Sequence, residues 1–216
     1  MTADNSLDVR HVDPDWIIVN KPSGLLAVPG KGPDKQDCLS NRVQQVYPDA
    51  LIVHRLDMAT SGLMVLARGV DAQRKLNAAF ANRLVHKRYT AVVHGILPVA
   101  YANWQIIDLP ISVDWPNRPL RVIDTVQGKP SVTRVRILKH ETDNHTTRLE
   151  LEPITGRSHQ LRVHLKALGH PILGDALYAP PDVVALAPRL LLHATSLQLP
   201  HPTHGVPMDF VCDAPF

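Results

Sequence analysis

Residues 54–67 read HRLDMATSGLMVLA, a polar loop that runs directly into an apolar stretch. The apolar part predicts a strand over about Gly62 to Ala67. If the loop is extended, Arg55 and Asp57 project to the same side while Leu56 turns to the core. A carboxylate would then be fixed beside a guanidinium, which keeps the acid ionised as a nucleophile or a base. An ordinary salt bridge in a loop would have the same spacing, so the pattern alone leaves both interpretations open.

A second informative stretch, residues 153–164, reads PITGRSHQLRVH and predicts a turn from a strand into a helix. Ser158 is the expected N-cap, the apolar side of the helix repeats at helical spacing as far as Leu168, and Gly169 is expected to end it. Arginines beside the N–H groups of a helix start suit a phosphate or a carboxylate partner. A capped helix with a solvated basic face is the alternative.

The rest of the chain alternates short strands with a few helices. Strands are predicted at 16–19, 89–93, 131–138, 147–151, 190–192 and 208–211, and helices at 38–47 and 71–82, the second with Asp71 as N-cap. The strands predicted at 131–138 and 147–151 flank a polar turn, which predicts an antiparallel hairpin. This pattern indicates an α+β fold with a mixed, mainly antiparallel sheet and flanking helices. We expect one domain over residues 1–216, with about residues 1–12 loosely attached.

Composition restricts the class of protein. The chain has 216 residues, 44% of them hydrophobic, which excludes a disordered polymer. Its 23 Lys and Arg against 20 Asp and Glu give a net charge of +3, which is compatible with an anionic partner. No apolar run is long enough for a membrane helix and no signal pattern begins the chain, so we expect a soluble, cytoplasmic protein without a membrane partner. His201 and His204 have no Cys or carboxylate near them in sequence, so no metal site is expected.

Taken together, these stretches resemble the RluA-type pseudouridine synthases. The resemblance covers nearly the whole chain in the order of the family. The motifs that carry it are Lys21-Pro22-Ser23-Gly24, His54-Arg55-Leu56-Asp57 with Ser61-Gly62, Gly156-Arg157-Ser158-His159-Gln160-Leu161-Arg162, Gly169-His170-Pro171-Ile172-Leu173-Gly174-Asp175 and Arg189-Leu190-Leu191-Leu192-His193-Ala194.

The resemblance implies an isomerase that converts uridine in RNA to pseudouridine without a cofactor or a metal. It implies that Asp57 is the catalytic aspartate, as nucleophile at C1′ or base at C2′, that Tyr89 stacks on the target uracil and that Arg157 pairs with Asp57. It also implies that Arg55 enters the RNA helix where the uridine leaves it. Further RNA contacts are expected from His54 and Arg162 within these motifs and from Arg88 and Arg118, which belong to basic clusters elsewhere in the chain.

Within this family the chain is most similar to the short members that modify both 23S ribosomal RNA and a tRNA anticodon stem-loop. The Lys21 motif begins close to Met1, so no N-terminal S4-type domain is expected and the catalytic domain, as a monomer, would select its RNA. A member with one substrate, a non-catalytic RNA-binding module and a glycoside-cleaving hydrolase remain as alternatives. The hydrolase would use two carboxylates, where this sequence offers one acid with two arginines.

Overall fold

The computed structural model describes residues 7–216 and contains two compact units. The first comprises Met1–His86 and Ala194–Asp213, and the second comprises Lys87–His193 and Ala214–Phe216. The single domain expected over residues 1–216 stays a prediction. The loose attachment expected for about residues 1–12 falls partly outside the described residues, and within them Val9–Val12 form a strand.

Twelve strands and four α-helices form within residues 7–216. In chain order they are β1 (Val9–Val12), β2 (Trp16–Lys21), α1 (Leu39–Val46), β3 (Ala50–Ile52), β4 (Ser61–Arg68), α2 (Gly69–Ala81), β5 (His86–His94), β6 (Gln105–Asp108), β7 (Ile111–Val113), β8 (Arg121–Ile123), β9 (Val132–Glu141), β10 (Thr146–Pro153), α3 (Gln160–Ala167), α4 (Pro181–Val184), β11 (Leu192–Pro200) and β12 (Pro207–Val211). The strands pair mostly antiparallel, which confirms the predicted α+β class. No helix in this part of the chain is long and apolar enough to cross a bilayer.

The first unit is built on a sheet with the strand order β1-β2-β4-β11, with β3 paired to β4 and β12 paired to β11. Alternate side chains of β2 and β4 face helix α2, whose buried residues repeat every three or four positions. The core that they form consists of Trp16, Ile18, Leu63, Val65, Ala67, Ala72, Leu76, Ala79, Val85, Leu197, Leu199 and Cys212.

Gly62 lets two strands of this sheet approach closely at the end of the polar loop. Its φ is +115°, and a Cβ there would overlap the backbone of Ala194 on β11. Only glycine satisfies both conditions without strain. The Asp57 loop therefore enters the sheet at a position that accepts no side chain.

The second unit contains a sheet with the order β5-β10-β9-β6 and a separate hairpin of β7 and β8. Strands β9 and β10 form the predicted hairpin around the turn at 142–144. Helix α3 packs on the β7–β8 hairpin through buried Val163, Ile111 and Tyr178. The hairpin thus lies next to the start of α3, where Arg157 is located.

Two predicted helix starts are wrong. Helix α3 has His159, in the left-handed region with φ of +58°, as its N-cap in place of Ser158. Helix α2 has Arg68 as N-cap, so Asp71 lies in the first turn, where its negative charge still suits the helix dipole. Gly169 follows α3 with φ of +82°, as predicted.

We predict that Gly62→Ala destabilises the first unit because the new methyl group must displace the backbone of Ala194. Gly69→Ala is the matched control, because Gly69 also has a positive φ, +79°, but has no atom near its hypothetical Cβ. The control should lose about 1 kcal/mol, the penalty for a left-handed non-glycine residue. Gly62→Ala should lose about 2 kcal/mol more, from overpacking. Urea denaturation of both variants measures the difference, and equal losses would show that the close approach does not matter.

Candidate active site

Asp57 lies in the loop between β3 and β4, in an irregular segment of the first unit. The carboxylate residue is half-buried, and Leu56 before it is buried as predicted. The N–H of Thr60 donates to the carbonyl of Asp57 at 3.1 Å and closes a turn. The Asp57 side chain therefore lies at the boundary between the core and the solvent, where a substrate can reach it.

Lys21 ties this loop to the end of β2. The side chain is 0% exposed, and its Nζ donates to the carbonyls of Pro22 at 2.8 Å, Leu25 at 2.7 Å and Met58 at 3.0 Å. An ammonium group has three N–H donors, and all three find a carbonyl acceptor here. Because Met58 follows Asp57 directly, the buried charge fixes the backbone that carries the acid.

Two neighbours of Lys21 reinforce this attachment. The N–H of Gly24 donates to the carbonyl of Met58 at 2.9 Å, and the Ser23 hydroxyl donates to the carbonyl of Ala59 at 2.7 Å. Sequence analysis used the motif from Lys21 to Gly24 only for its resemblance and missed this role. A lysine at the end of an apolar strand, followed by Pro-Ser-Gly, was the available signal.

Arg55 and His54, which precede Asp57, differ in their surroundings. Arg55 is exposed, and within residues 7–216 no carboxylate lies within 4.0 Å of it, so the expected ion pair with Asp57 does not form. The His54 Nε2 accepts the N–H of Val65 at 3.0 Å, and the ring stacks on Phe80 with centroids 4.8 Å apart. His54 thus anchors the loop to β4 and α2, whereas Arg55 projects to solvent.

Arg157 lies in the second unit, in the turn between β10 and α3. Its side chain is exposed, with Nε donating to the carbonyl of Pro130 at 3.3 Å. Its backbone N–H donates to Oε1 of Gln160 at 3.0 Å. The position of Arg157 therefore depends on the Gln160 side chain.

Gln160 is buried, and its carboxamide is fully hydrogen bonded. Nε2 donates to the carbonyl of Val132 at 2.9 Å and to Oγ1 of Thr133 at 3.0 Å. Oε1 accepts the Thr155 hydroxyl at 2.7 Å in addition to the N–H of Arg157. The amide joins the start of β9 to the Arg157 turn, a role that sequence analysis also missed.

Arg162 is 4% exposed and forms a buried ion pair with Asp175. The pair is bidentate, with Nε 2.9 Å from Oδ2 and Nη2 2.6 Å from Oδ1. The same carboxylate accepts the N–H of Tyr178 at 3.2 Å. This placement gives Arg162 a structural role in holding Asp175 and the segment that follows it.

Tyr89 and Arg88 lie side by side on β5. Tyr89 is 9% exposed, and β10 fixes its backbone through the pairing of Leu151 with Tyr89. Arg88 is one of three arginines that surround Trp104, together with Arg134 and Arg136. Their guanidinium carbons lie 4.6 to 4.8 Å from the centroid of the Trp104 ring. Glu150 and Glu152 of β10 pair with these arginines and offset much of their charge.

A group that could hold a metal ion forms in the first unit from Asp13, Asp15 and His201. Two carboxylates thus lie near His201 in space although none is adjacent to it in sequence, and the sequence analysis missed this group. However, Nδ1 of His201 accepts the N–H of Thr203 at 3.1 Å, which leaves the ring proton on Nε2. Nε2 lies 3.3 Å from Asp13, to which it donates, and 3.6 Å from Asp15, so it is not a ready metal ligand.

Asp13 is stabilised as a carboxylate by this arrangement. Burial alone would raise its pKa, but hydrogen bonds from His11, from the N–H groups of Asp15 and Trp16 and from His201 outweigh burial and lower the pKa. A hydrogen-bonded acid of this kind needs no cation.

Comparisons with known proteins cover most of the chain. A model of the family described as RNA pseudouridylate synthase matches residues 15–167. A dual-specificity RNA pseudouridine synthase RluA from Yersinia pestis is 48% identical over 208 residues, which are 96% of this chain and 99% of the relative. The protein of the same description from Escherichia coli O6:H1 (strain CFT073) is 49% identical over 210 residues, 97% and 94% of the two chains. The structure of human RNA pseudouridylate synthase domain containing 1 is similar with a TM-score of 0.80 and 28% identity, over 98% of this chain and 85% of that one.

We predict that Lys21→Met lowers the stability of the first unit because it leaves three carbonyls without their donor. The loss should be about 2 kcal/mol or more, since hydrogen bonds to charged groups are worth about 1.5–3 kcal/mol each and the removed buried charge offsets part of this. Lys31→Met, at an exposed lysine of the same unit, is the control and should be close to neutral. Thermal unfolding measures both, and a Lys21→Met protein as stable as the control would contradict the attachment.

Proposed function

The chain belongs to the RNA pseudouridylate synthase family, and from this premise we propose that Asp57 is the carboxylate with which it acts on RNA. The chain is an isomerase that converts uridine in RNA to pseudouridine. The proposal for Asp57 depends on two observations. Its loop lies inside the matched stretch, and the loop presents a half-buried acid on a backbone that buried Lys21 holds.

The chemistry fits one well-placed carboxylate. The reaction breaks the bond between C1′ and N1 of the uridine and forms a bond between C1′ and C5, while a proton leaves C5 and N1 gains one. Asp57 would either attack C1′ or remove a proton from C2′, and both roles need an ionised acid on a rigid backbone. Because no atoms or electrons are gained or lost overall, we propose that the reaction needs no cofactor and no metal.

We assign Tyr89 and Arg157 to the same site. Tyr89 lies on a strand whose register is fixed on β10, so a flipped base would meet a ring with little freedom to move. Arg157 presents an exposed guanidinium from a turn fixed by Gln160, which suits a charged partner. Both residues lie inside the matched stretch, 15–167.

We propose that Arg55 fills the gap that an extruded uridine leaves. An enzyme that acts on the sugar and ring edge of a stacked base must first extrude that base, which costs a few kcal/mol. Arg55 is exposed and lacks a carboxylate within 4.0 Å among residues 7–216, so its guanidinium is available to stack on bases and contact phosphate. His54 would support this step indirectly by anchoring the loop.

We propose that the substrates are 23S ribosomal RNA and a tRNA anticodon stem-loop. Relatives with nearly half of their residues identical to this chain are described as dual-specificity enzymes, which supports two substrates over one. We further propose that residues 1–216 work as one catalytic domain, as a monomer and in the cytoplasm. The family match extends from residue 15 to residue 167 and so includes residues of both units.

We predict that Asp57→Asn lowers pseudouridine formation by at least about 10³-fold, as expected when a reacting group is removed. The change removes a negative charge and little volume, so folding and RNA affinity should remain. Asp34→Asn, at an exposed acid of the same unit, is the control and should retain activity. Pseudouridine mapped in a transcript, together with an assay for free uracil, measures the reaction. An Asp57→Asn enzyme with substantial turnover would remove Asp57 from the mechanism, and released uracil would indicate a hydrolase.

We predict that an isolated anticodon stem-loop and an isolated 23S rRNA hairpin are both modified, at loop uridines that share a short local sequence. A chain of this size contacts only the nucleotides around its active site, so the local sequence should matter more than the parent RNA. Both hairpins are incubated with the enzyme and pseudouridine is mapped in each. Modification of only one hairpin, or a requirement for the assembled ribosomal particle, would instead indicate a single-substrate enzyme.

A further inference from the structure

A basic pocket of about 360 Å³ lies at the base of the β7–β8 hairpin in the second unit. Its cationic residues come from three separate segments: Arg121 from β8, Lys129 from the segment after it and Arg157 from the turn before α3. The remaining lining residues are Ile111, Ser112, Val113, Gln127, Gly156 and Ser158, and none of the nine is acidic. The lining therefore carries three positive charges and no negative charge.

No carboxylate of residues 7–216 pairs with these three cations within 4.0 Å. The Arg121 guanidinium donates to the backbone carbonyls of Pro119 and Leu120. Asp124 and Asp114 are the acids nearest to Arg121 in sequence, and both are occupied: Asp124 accepts the N–H groups of Val126 and Gln127 and the hydroxyl of the lining residue Ser112, and Asp114 accepts the N–H groups of Asn117. This pocket differs from the arginines around Trp104, whose charge Glu150 and Glu152 offset.

The pocket is held in shape by backbone contacts. Ile111 and Lys129 exchange both of their backbone hydrogen bonds, at 3.0 and 2.9 Å. Gly128 directly precedes Lys129, and a Cβ at this position would overlap the carbonyl of Asp124. The N–H of Arg121 donates to the Tyr178 hydroxyl at 2.9 Å. The cations therefore project from a fixed frame, which lowers the ordering cost of binding an anion.

The tip of the same hairpin carries an exposed aromatic residue. Trp115 is 66% exposed, and the Arg118 guanidinium lies 4.6 Å from the centre of one face of its ring. The tip is ordered, because the N–H of Asp114 donates to the carbonyl of Leu120 at 3.1 Å and closes the loop. Trp115 is two residues beyond Val113 of the pocket lining, so the backbone positions of these two residues are at most about 7 Å apart, at about 3.3 Å per residue.

We propose that the β7–β8 hairpin binds single-stranded RNA next to the target uridine, with an unpaired base stacked on Trp115 and Arg118 and the adjoining phosphate in the basic pocket. The inference rests on the proposed function, and it adds a binding site and the chemistry of its ligand. An exposed ring and a cluster of cations without a carboxylate partner on the same hairpin match a base and its phosphate. A base stacked inside a duplex has no free face to offer Trp115, so the loop of a hairpin fits better than a duplex.

The first test compares Trp115→Ala with Trp115→Phe, using an anticodon stem-loop transcript as the probe and a blunt-ended RNA duplex as its control. Trp115→Ala should weaken hairpin binding by about 5- to 150-fold, the range for loss of one stacked base, and should affect KM more than kcat. Trp115→Phe keeps a stacking face and should recover most of the affinity. Equal hairpin affinity for Trp115→Ala and the parent protein, or equal weakening for hairpin and duplex, would overturn the proposal.

The second test measures the salt dependence of hairpin binding for Lys129→Gln and for Lys75→Gln, a matched exposed lysine on α2 outside the pocket. If Lys129 contacts one phosphate, its loss should reduce the slope of log K against log salt by about 0.7 to 0.9, and Lys75→Gln should leave the slope unchanged. Equal slopes for Lys129→Gln and the parent protein would overturn the role of the pocket.

Binding and turnover are measured separately, so this inference and the proposed function fail in different ways. If the parent protein binds the hairpin through Trp115 but makes no pseudouridine in it, the inference stands and the proposed substrate is wrong. If the parent protein modifies the hairpin and Trp115→Ala binds it equally well, the proposed function stands and the inference is overturned.

Discussion

The buried ammonium group of Lys21 is the constraint on which the Asp57 loop depends. A charge removed from water is stable in a protein only if hydrogen bonds replace its hydration. Lys21 obtains them from three carbonyls, one of which belongs to Met58 in the loop and two to the segment that follows β2. The loop must therefore take this shape whenever β2 is packed, and the position of Asp57 follows from the folding of the strand.

In the second unit a neutral side chain, that of Gln160, fixes the backbone of a proposed site residue. The Gln160 amide holds the turn that carries Arg157 through four hydrogen bonds, two given and two accepted. Neither device uses the carboxylate of Asp57 or the guanidinium of Arg157. We propose Asp57 and Arg157 as active-site residues, and holding such a residue by its backbone means that its charged side chain is not needed for its own positioning, at the cost of burying a second polar side chain that has no reaction of its own.

The sequence predicted those features that depend on local periodicity and missed those that depend on distant partners. Strand β4, helix α2 and the β9–β10 hairpin follow from apolar spacing and turn residues, and all three are confirmed. The cap of α3 was wrong because His159 takes a left-handed conformation beside Tyr178, 19 residues further along the chain. The expected ion pair of Arg55 and Asp57 was also wrong. Residue spacing predicts the side to which a side chain projects, but not which group that side chain contacts. Asp13 reaches His201 from the opposite end of the sequence, 188 residues away, which no local pattern could show.

Net charge says little about where RNA could bind, because pairing decides which cations are available. A charge of +3 on the whole chain is small. The sequence cluster at Arg134 and Arg136 has the spacing of a basic strand face, yet glutamates on the neighbouring strand neutralise it. Arg121 and Lys129 are separated in sequence and form no obvious cluster, but they meet in a pocket whose lining contains no acid. A phosphate gains most where cations lack a carboxylate partner, so such cations brought together by the fold are a better guide to an RNA-binding surface than runs of arginine.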